Sequence, residues 1–421
     1  MKISLSKQSF FLVLGILIFS SYLFQIYWLP VEVNDNVVFI RDGFAQRLLF
    51  KIIGIFLLYF ALIRSFSLKS FKYNYIIKIP LAYYIVKTIF LIPLFFWESY
   101  LFKEEYIMSA NIIFLLLIPF VNFYGKDGDE LFSKLVKIMT LIVCLQLIVE
   151  LIIHFYNLNH VNTLIGGMGN ANTFGLHLII ASLGLRFIYR RYFFSNIILI
   201  MSLFTGSLIT GLISTFLILQ SFINFVKFVI LKKTAPLIFL LIIIFVILSL
   251  LIIFFIFNEN FELTFSLSPQ LSHIFKKAIE HYYVVYNLII GEINWEDAGG
   301  LILRVSFFTD AWILLSENPM SIIFGHPDFL IFWKSDIFFL NFIVNHGLPM
   351  FLLFIISNVI LVFRGMKNKT PLSKFALYTL IVYMLFFCVN RILDYWPSPF
   401  MYLLVFNYLS RKIKLSEKSK I

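Results

Sequence analysis

The sequence predicts an all-α polytopic membrane protein, with about 12 transmembrane helices and one large loop on the external (periplasmic or extracellular) face. Two observations carry that expectation. Of 421 residues, 61% are apolar and only 13% are charged, against about 45–50% and about 25% in soluble domains. The mean hydropathy is +0.94. A third observation is the arrangement of the basic residues. The net charge of +12 is scattered in short clusters between apolar runs, as in loops flanking membrane spans, and forms no nucleic-acid patch. Together these features exclude a soluble enzyme, a disordered scaffold and a secreted disulfide-stapled domain.

Crossing about 30 Å of hydrocarbon takes about 20 apolar residues. Lys2 and Lys7 precede a charge-free run from Phe10 to Leu29, and no small-residue cleavage site follows, so this run reads as a retained first span. The next spans are expected at Leu48–Ile63, Ile76–Phe96, Tyr106–Phe123, Leu135–Phe155 and Thr173–Ile188. Phe194–Thr205, Ile209–Ile230 and Pro236–Phe257 complete an N-terminal bundle, residues 1–257. Residues 258–336 form the large external loop, and residues 337–421 hold spans at Ile337–Phe363, Phe375–Val389 and Pro399–Leu409 with a cytoplasmic tail. Placing both termini in the cytoplasm puts 24 of the 34 basic residues on the cytoplasmic side, with only Asp127, Asp129, Glu130 and Glu417 among the acidic ones.

The loop is long enough to suggest a role of its own. Within it, Leu301–Leu315 is an apolar helix candidate bearing Arg304 and Asp310, bounded by Gly299-Gly300 and Asn318-Pro319. It is too short to cross, so it is expected at the interface or dipping into a cavity. Cys144 and Cys388 lie in apolar runs and read as small buried hydrophobes.

Charged groups inside spans are costly and therefore informative. Lys87 lies mid-span, while Gln146, Glu150 and His154 share one helix face at i, i+4 and i+8. Lys87 and Glu150 fit either an ion pair between helices or a structural polar contact. Arg391 and Asp394 fit a simple i,i+3 pair. There is no P-loop, no His-Glu-x-x-His and no metal-ligand spacing among the seven His. Asp127-Gly128-Asp129 reads as a turn.

The external side collects Arg41, Arg47, Lys51, Lys276, Lys277, Arg304 and Lys334. An arginine fork suits phosphate oxygens, and an Arg-lined external cavity in an apolar protein suits a lipid-linked pyrophosphate. Solvated loop charges are the plainer alternative. Two stretches favour the first. The run from Gly166 through Asn170, Asn172 and Thr173 to Gly175 resembles the glycine/asparagine segment of O-antigen polymerases and ligases. The order Arg304, Trp312, Asn318-Pro319, Phe324-Gly325, then Asn345-His346-Gly347, is similar to the Arg, Trp, Pro and Gly sequence of that superfamily's large loop. The resemblance spans Gly166 to Phe363. It departs at Ser335-Asp336-Ile337-Phe338-Phe339, where ligases usually carry His-Asn-x-x-Leu. It departs again at Gly206-Ser207-Leu208, where an expected Arg is absent and Arg47 or Arg391 could serve.

The resemblance implies a polymerase of polyprenyl-pyrophosphate-linked repeat units, of the O-antigen or capsule type, in a bacterial inner membrane. It implies no cofactor, no metal and no nucleic acid; partners would be lipid-linked glycans, the bilayer, a flippase and a chain-length regulator. Arg304, Asp336 and His326 are the expected catalytic residues: Arg304 for the pyrophosphate, Asp336 for the acceptor hydroxyl, His326 as its substitute. Arg47, Arg41, Asn170, Asn172, Lys276 and Arg391 are the expected substrate-binding residues. A ligase, a polyprenyl-phosphate-sugar glycosyltransferase with acids at Glu32, Asp35 and Asp42, and a lipid-linked oligosaccharide flippase are the alternatives.

Overall fold

The computed structural model describes residues 29–33, 36–40, 125–155, 171–205, 207–231, 299–317, 319–325, 337–390 and 398–418, with a few further positions between 11 and 164. These residues are predominantly helical. A short antiparallel hairpin, β1 (Leu29–Val33) and β2 (Asn36–Ile40), pairs Val33 with Asn36 across Asn34-Asp35. The expected first span reaches Leu29, whereas Leu29 already belongs to this hairpin. Pro30 cannot continue a helix, and Val31, Val33, Val37 and Val38 favour strand.

The ten helices named here are α1 (Gly125–Phe155), α2 (Ala171–Phe187), α3 (Tyr192–Leu203), α4 (Leu208–Leu231), α5 (Gly299–Ser316), α6 (Pro319–Phe324), α7 (Phe338–His346), α8 (Leu348–Met366), α9 (Pro371–Phe387) and α10 (Ser398–Lys418). Within α1, Asp127–Ile152 is long and apolar enough to cross a membrane; α3, α4, α8, α9 and α10 carry shorter apolar stretches. The start of α1 corrects the expected turn at Asp127-Gly128-Asp129, which is helical and lies near the N-terminus of α1. Gly128 is needed there because a Cβ would collide with the backbone of Phe123, and Asp129 accepts a hydrogen bond from the Tyr408 hydroxyl at 2.8 Å.

Helix α2 is the axis of the bundle. It packs against α1, α3, α4 and α9, and every residue from Thr173 to Gly184 is buried. Small residues make that possible. A Cβ on Gly175 would strike the Thr210 side chain of α4, and one on Gly184 the Thr140 side chain of α1, so a threonine from each neighbour seats directly on the α2 backbone. Hydroxyls bridge the remaining gaps: Ser182 meets Ser195 at 2.7 Å, and Ser202 meets Ser214 at 2.6 Å. Close approach at small residues with polar cross-links is how helices associate where solvent gives no hydrophobic drive.

The other half of the structure is built on aromatic rings. Phe338 of α7 stacks on Phe387 at the end of α9 (4.6 Å) and lies 5.8 Å from Phe354 of α8. Tyr402 of α10 lies edge-on to Phe387 (5.4 Å) and donates to the Asn358 Oδ1 (2.9 Å). The N-terminus of α9 is fixed by Thr370, whose hydroxyl accepts from the Ser373 N–H at 3.2 Å, with Pro371 in the first turn.

The expected tenth span, Ile337–Phe363, is not one helix. It breaks at Gly347, whose φ of 84° and ψ of 159° suit only glycine, and Pro349 opens the next helix. A hydropathy average runs straight across this point; the backbone does not.

Candidate functional site

Helices α2, α4 and α10 all begin at one end of the bundle, which we call the Asn172 end. Asn172, in the first turn of α2, accepts a hydrogen bond from the Ser207 hydroxyl on its side-chain oxygen. Ser207 directly precedes α4 and also accepts from the Thr210 N–H (3.3 Å) and hydroxyl (2.9 Å). It is therefore the N-cap of α4 and a tie to α2 at the same time. Just upstream, the Leu164 N–H donates to the carbonyl of Phe204 at 3.0 Å. The glycine/asparagine segment and the Gly206-Ser207-Leu208 segment thus meet side chain to side chain.

Deeper at the same end lies His177, only 1% exposed. Its Nε2 sits 3.0 Å from the Ser398 hydroxyl, and the Tyr383 hydroxyl donates to the Ser398 carbonyl at 2.8 Å. Three helices, α2, α9 and α10, are pinned through one serine. Sequence reasoning passed over His177, although the cost of a polar group within a span singles it out as readily as Glu150. Its partner, 221 residues away, has no signal in the local sequence.

The loop motif forms a second cluster. Helix α5 covers the expected Leu301–Leu315 helix and extends it slightly. Arg304 lies in its second turn, Asp310 and Trp312 are exposed, and Pro319 opens α6. Helices α5, α6 and α7 pack on one another. The two motif glycines are adjacent in space. A Cβ at Gly325 would collide with the carbonyl group of Asn345, and one at Gly347 with the carbonyl group of Ile323 and the nitrogen of Gly325. Both have positive φ, 83° and 84°. The two motif segments therefore pack backbone against backbone, with His346 and Asn341 buried beside them.

Of the expected site residues, Asn172 is held as described and Arg304 is placed on α5. Asp336, His326, Arg41, Arg47, Asn170, Lys276 and Arg391 lie outside the described residues, as do Lys87, Lys51, Lys277 and Lys334. Gln146 and Glu150 are buried on one face of α1, with the Gln146 amide donating to the Glu150 carboxylate at 3.3 Å. Among the described residues, no three His, Cys, Asp or Glu gather as a metal site would require. Comparisons with family models, curated proteins and solved structures give no match.

Proposed function

We propose that this chain is a multi-pass membrane polymerase of polyprenyl-pyrophosphate-linked oligosaccharide repeat units, working on the outer face of a bacterial cytoplasmic membrane. The observation that carries this reading is the meeting of the Phe324-Gly325 and Asn345-His346-Gly347 segments next to the helix that bears Arg304. These are the segments whose order resembles the O-antigen polymerase superfamily. In this reading about 12 spans alternate with both termini inside, and the loop of residues 258–336 faces outward, in keeping with the basic-residue asymmetry.

The chemistry needs neither nucleotide nor metal, because the donor glycan already carries its leaving group. The acceptor sugar hydroxyl attacks the anomeric carbon of the donor. The bond to the pyrophosphate oxygen breaks with its electron pair, and the hydroxyl proton passes to Asp336, or to His326 in its place. Arg304 neutralises the charge that grows on the departing pyrophosphate. Asn172 would hold glycan hydroxyls at the head of α2.

Glycan analysis of a deletion strain tests this directly. Lipid-linked glycans limited to a single repeat, transferred normally, are expected; unchanged long chains reject a polymerase, and accumulation of repeats on the inner face indicates a flippase. In the purified protein, Asp336→Asn should cut turnover by about 10²–10⁴-fold with little effect on binding. Arg304→Lys should fail to restore the polymer lost in Arg304→Ala, since a point charge does not replace a bidentate fork.

A further inference from the structure

The opposite end of α2 holds a guanidinium with no opposite charge beside it among the described residues. Arg186 lies in the last turn of α2 and is 6% exposed. It donates to the neutral Asn196 side-chain oxygen on α3 at 3.1 Å, its Nε has no hydrogen-bond partner, and no carboxylate pairs with it among the described residues. Tyr192 of α3 and Tyr378 of α9 are its polar neighbours, and Gln220 of α4 donates to the Tyr378 hydroxyl at 3.4 Å. A buried cation is ordinarily paired. Here four helices gather neutral groups around it instead.

The turn that follows adds charge at a conformational cost. Arg190 has a φ of 56° and is the sole non-glycine residue with positive φ among the described ones. Glycine would sit there more cheaply, so the turn carries a second arginine where backbone geometry argues against one. Arg191 follows, also exposed. Around these cations stand exposed aromatic rings: Tyr189, Tyr192, Phe193 and Phe194, with Phe193 72% exposed. Exposed aromatics flanking arginines suit the boundary between headgroups and acyl chains, and would be poorly placed around a site for a free aqueous anion.

We infer that the α2–α3 corner is a binding site for the phosphate of an anionic membrane phospholipid: Arg186 supplies the buried charge, Arg190 and Arg191 hold the headgroup, and the rings of Tyr192, Phe193 and Phe194 lie along the acyl chains. The site stands apart from the glycan chemistry and does not depend on it.

Phosphatidylglycerol is the probe, with phosphatidylcholine and inorganic phosphate as separate arms. Full-length protein is examined by native mass spectrometry and by thermal unfolding. Phosphatidylglycerol should remain bound and raise the unfolding midpoint, phosphatidylcholine should not, and inorganic phosphate at matched ionic strength should have little effect. Arg186→Gln should weaken retention by about tenfold to a hundredfold, the range for losing a charged hydrogen bond. Arg190→Gly separates binding from structure. It relieves the left-handed backbone, so its midpoint in phosphatidylcholine should equal or exceed that of the unaltered protein, while the increment from phosphatidylglycerol shrinks. Should Arg186→Gln not accumulate, Arg190→Gly decides alone. Equal phosphatidylglycerol retention by the variants overturns the inference, and so does an inorganic-phosphate shift as large as that of the lipid.

Discussion

The two ends of α2 solve the same packing problem with different chemistry. At the Asn172 end, neutral groups pair in two hydrogen-bonded clusters, Asn172 with Ser207 and Thr210, and His177 with Ser398 and Tyr383. At the Arg186 end, the central group is a guanidinium with one neutral partner, surrounded by further arginines and exposed rings. A closed neutral network rigidifies and fixes geometry; an underpaired cation leaves capacity for something from outside. Under the proposed function the first arrangement would position a reacting sugar; under the lipid-binding inference the second would hold a phospholipid headgroup. The shared feature is close approach at a glycine, Gly175 at one end and Gly184 at the other.

That shared feature gives the largest expected effect. Gly175→Val would push its branched side chain into Thr210, and overpacking of this kind costs about 1–3 kcal/mol or more. Pairing it with Thr210→Ala should recover part of the loss, because the colliding atoms belong to that side chain. The unfolding midpoints of both variants check this. Gly211→Ala, where a Cβ meets nothing within 4 Å, is the control and should gain up to about 1 kcal/mol from helix propensity. No recovery in the pair would show that the α2–α4 spacing is set elsewhere.

How far the sequence reveals these ends depends on the range of the interaction. Helix positions follow from apolar runs: Thr173–Ile188 is expected and α2 covers Ala171–Phe187. The loop helix is bounded by breakers and is found within two residues of its expected limits. Breaks inside apolar runs are harder, because a window average blurs the local signal; Gly347 with Pro349 marks one plainly, yet Ile337–Phe363 reads as continuous. The turn expected at Asp127-Gly128-Asp129 fails for a related reason. Those residue types favour turns, but helix first turns also accept Asp, and the glycine is demanded by Phe123. Asn172 stands out by its motif. Ser398 does not, since nothing near it in the chain announces a contact with His177.

The His177–Ser398 pair is the next way to sharpen the comparison. If the Asn172 end is a closed network, removing one member leaves a buried polar group without its partner, at about 1–3 kcal/mol. His177→Leu and Ser398→Ala should each destabilise within that range. The double variant should cost less than the two single effects combined, because neither partner remains to be left unsatisfied. Additive losses would mean that His177 and Ser398 act independently and that their contact does not tie α2 to α10.

The smallest effect concerns Ser207, which has two roles. As the N-cap of α4 it satisfies the Thr210 N–H, and replacing a capping serine by alanine costs about 1 kcal/mol, by glycine only a few tenths. As the partner of Asn172 it orients an amide that the proposed function assigns to substrate. The two roles separate in Ser207→Gly and Ser207→Ala. Stability should follow the capping order, with the glycine variant close to the unaltered protein and the alanine variant below it. Polymer length should not follow that order: both variants lack the hydroxyl that holds Asn172, so both should shorten the chains to the same extent, and Asn172→Ala should do the same. If the glycine variant makes full-length polymer, Ser207 serves only as a cap. The Asn172 end would then be a packing device like the contact of Gly184 with Thr140, and the contrast between the two ends would rest on Arg186 alone.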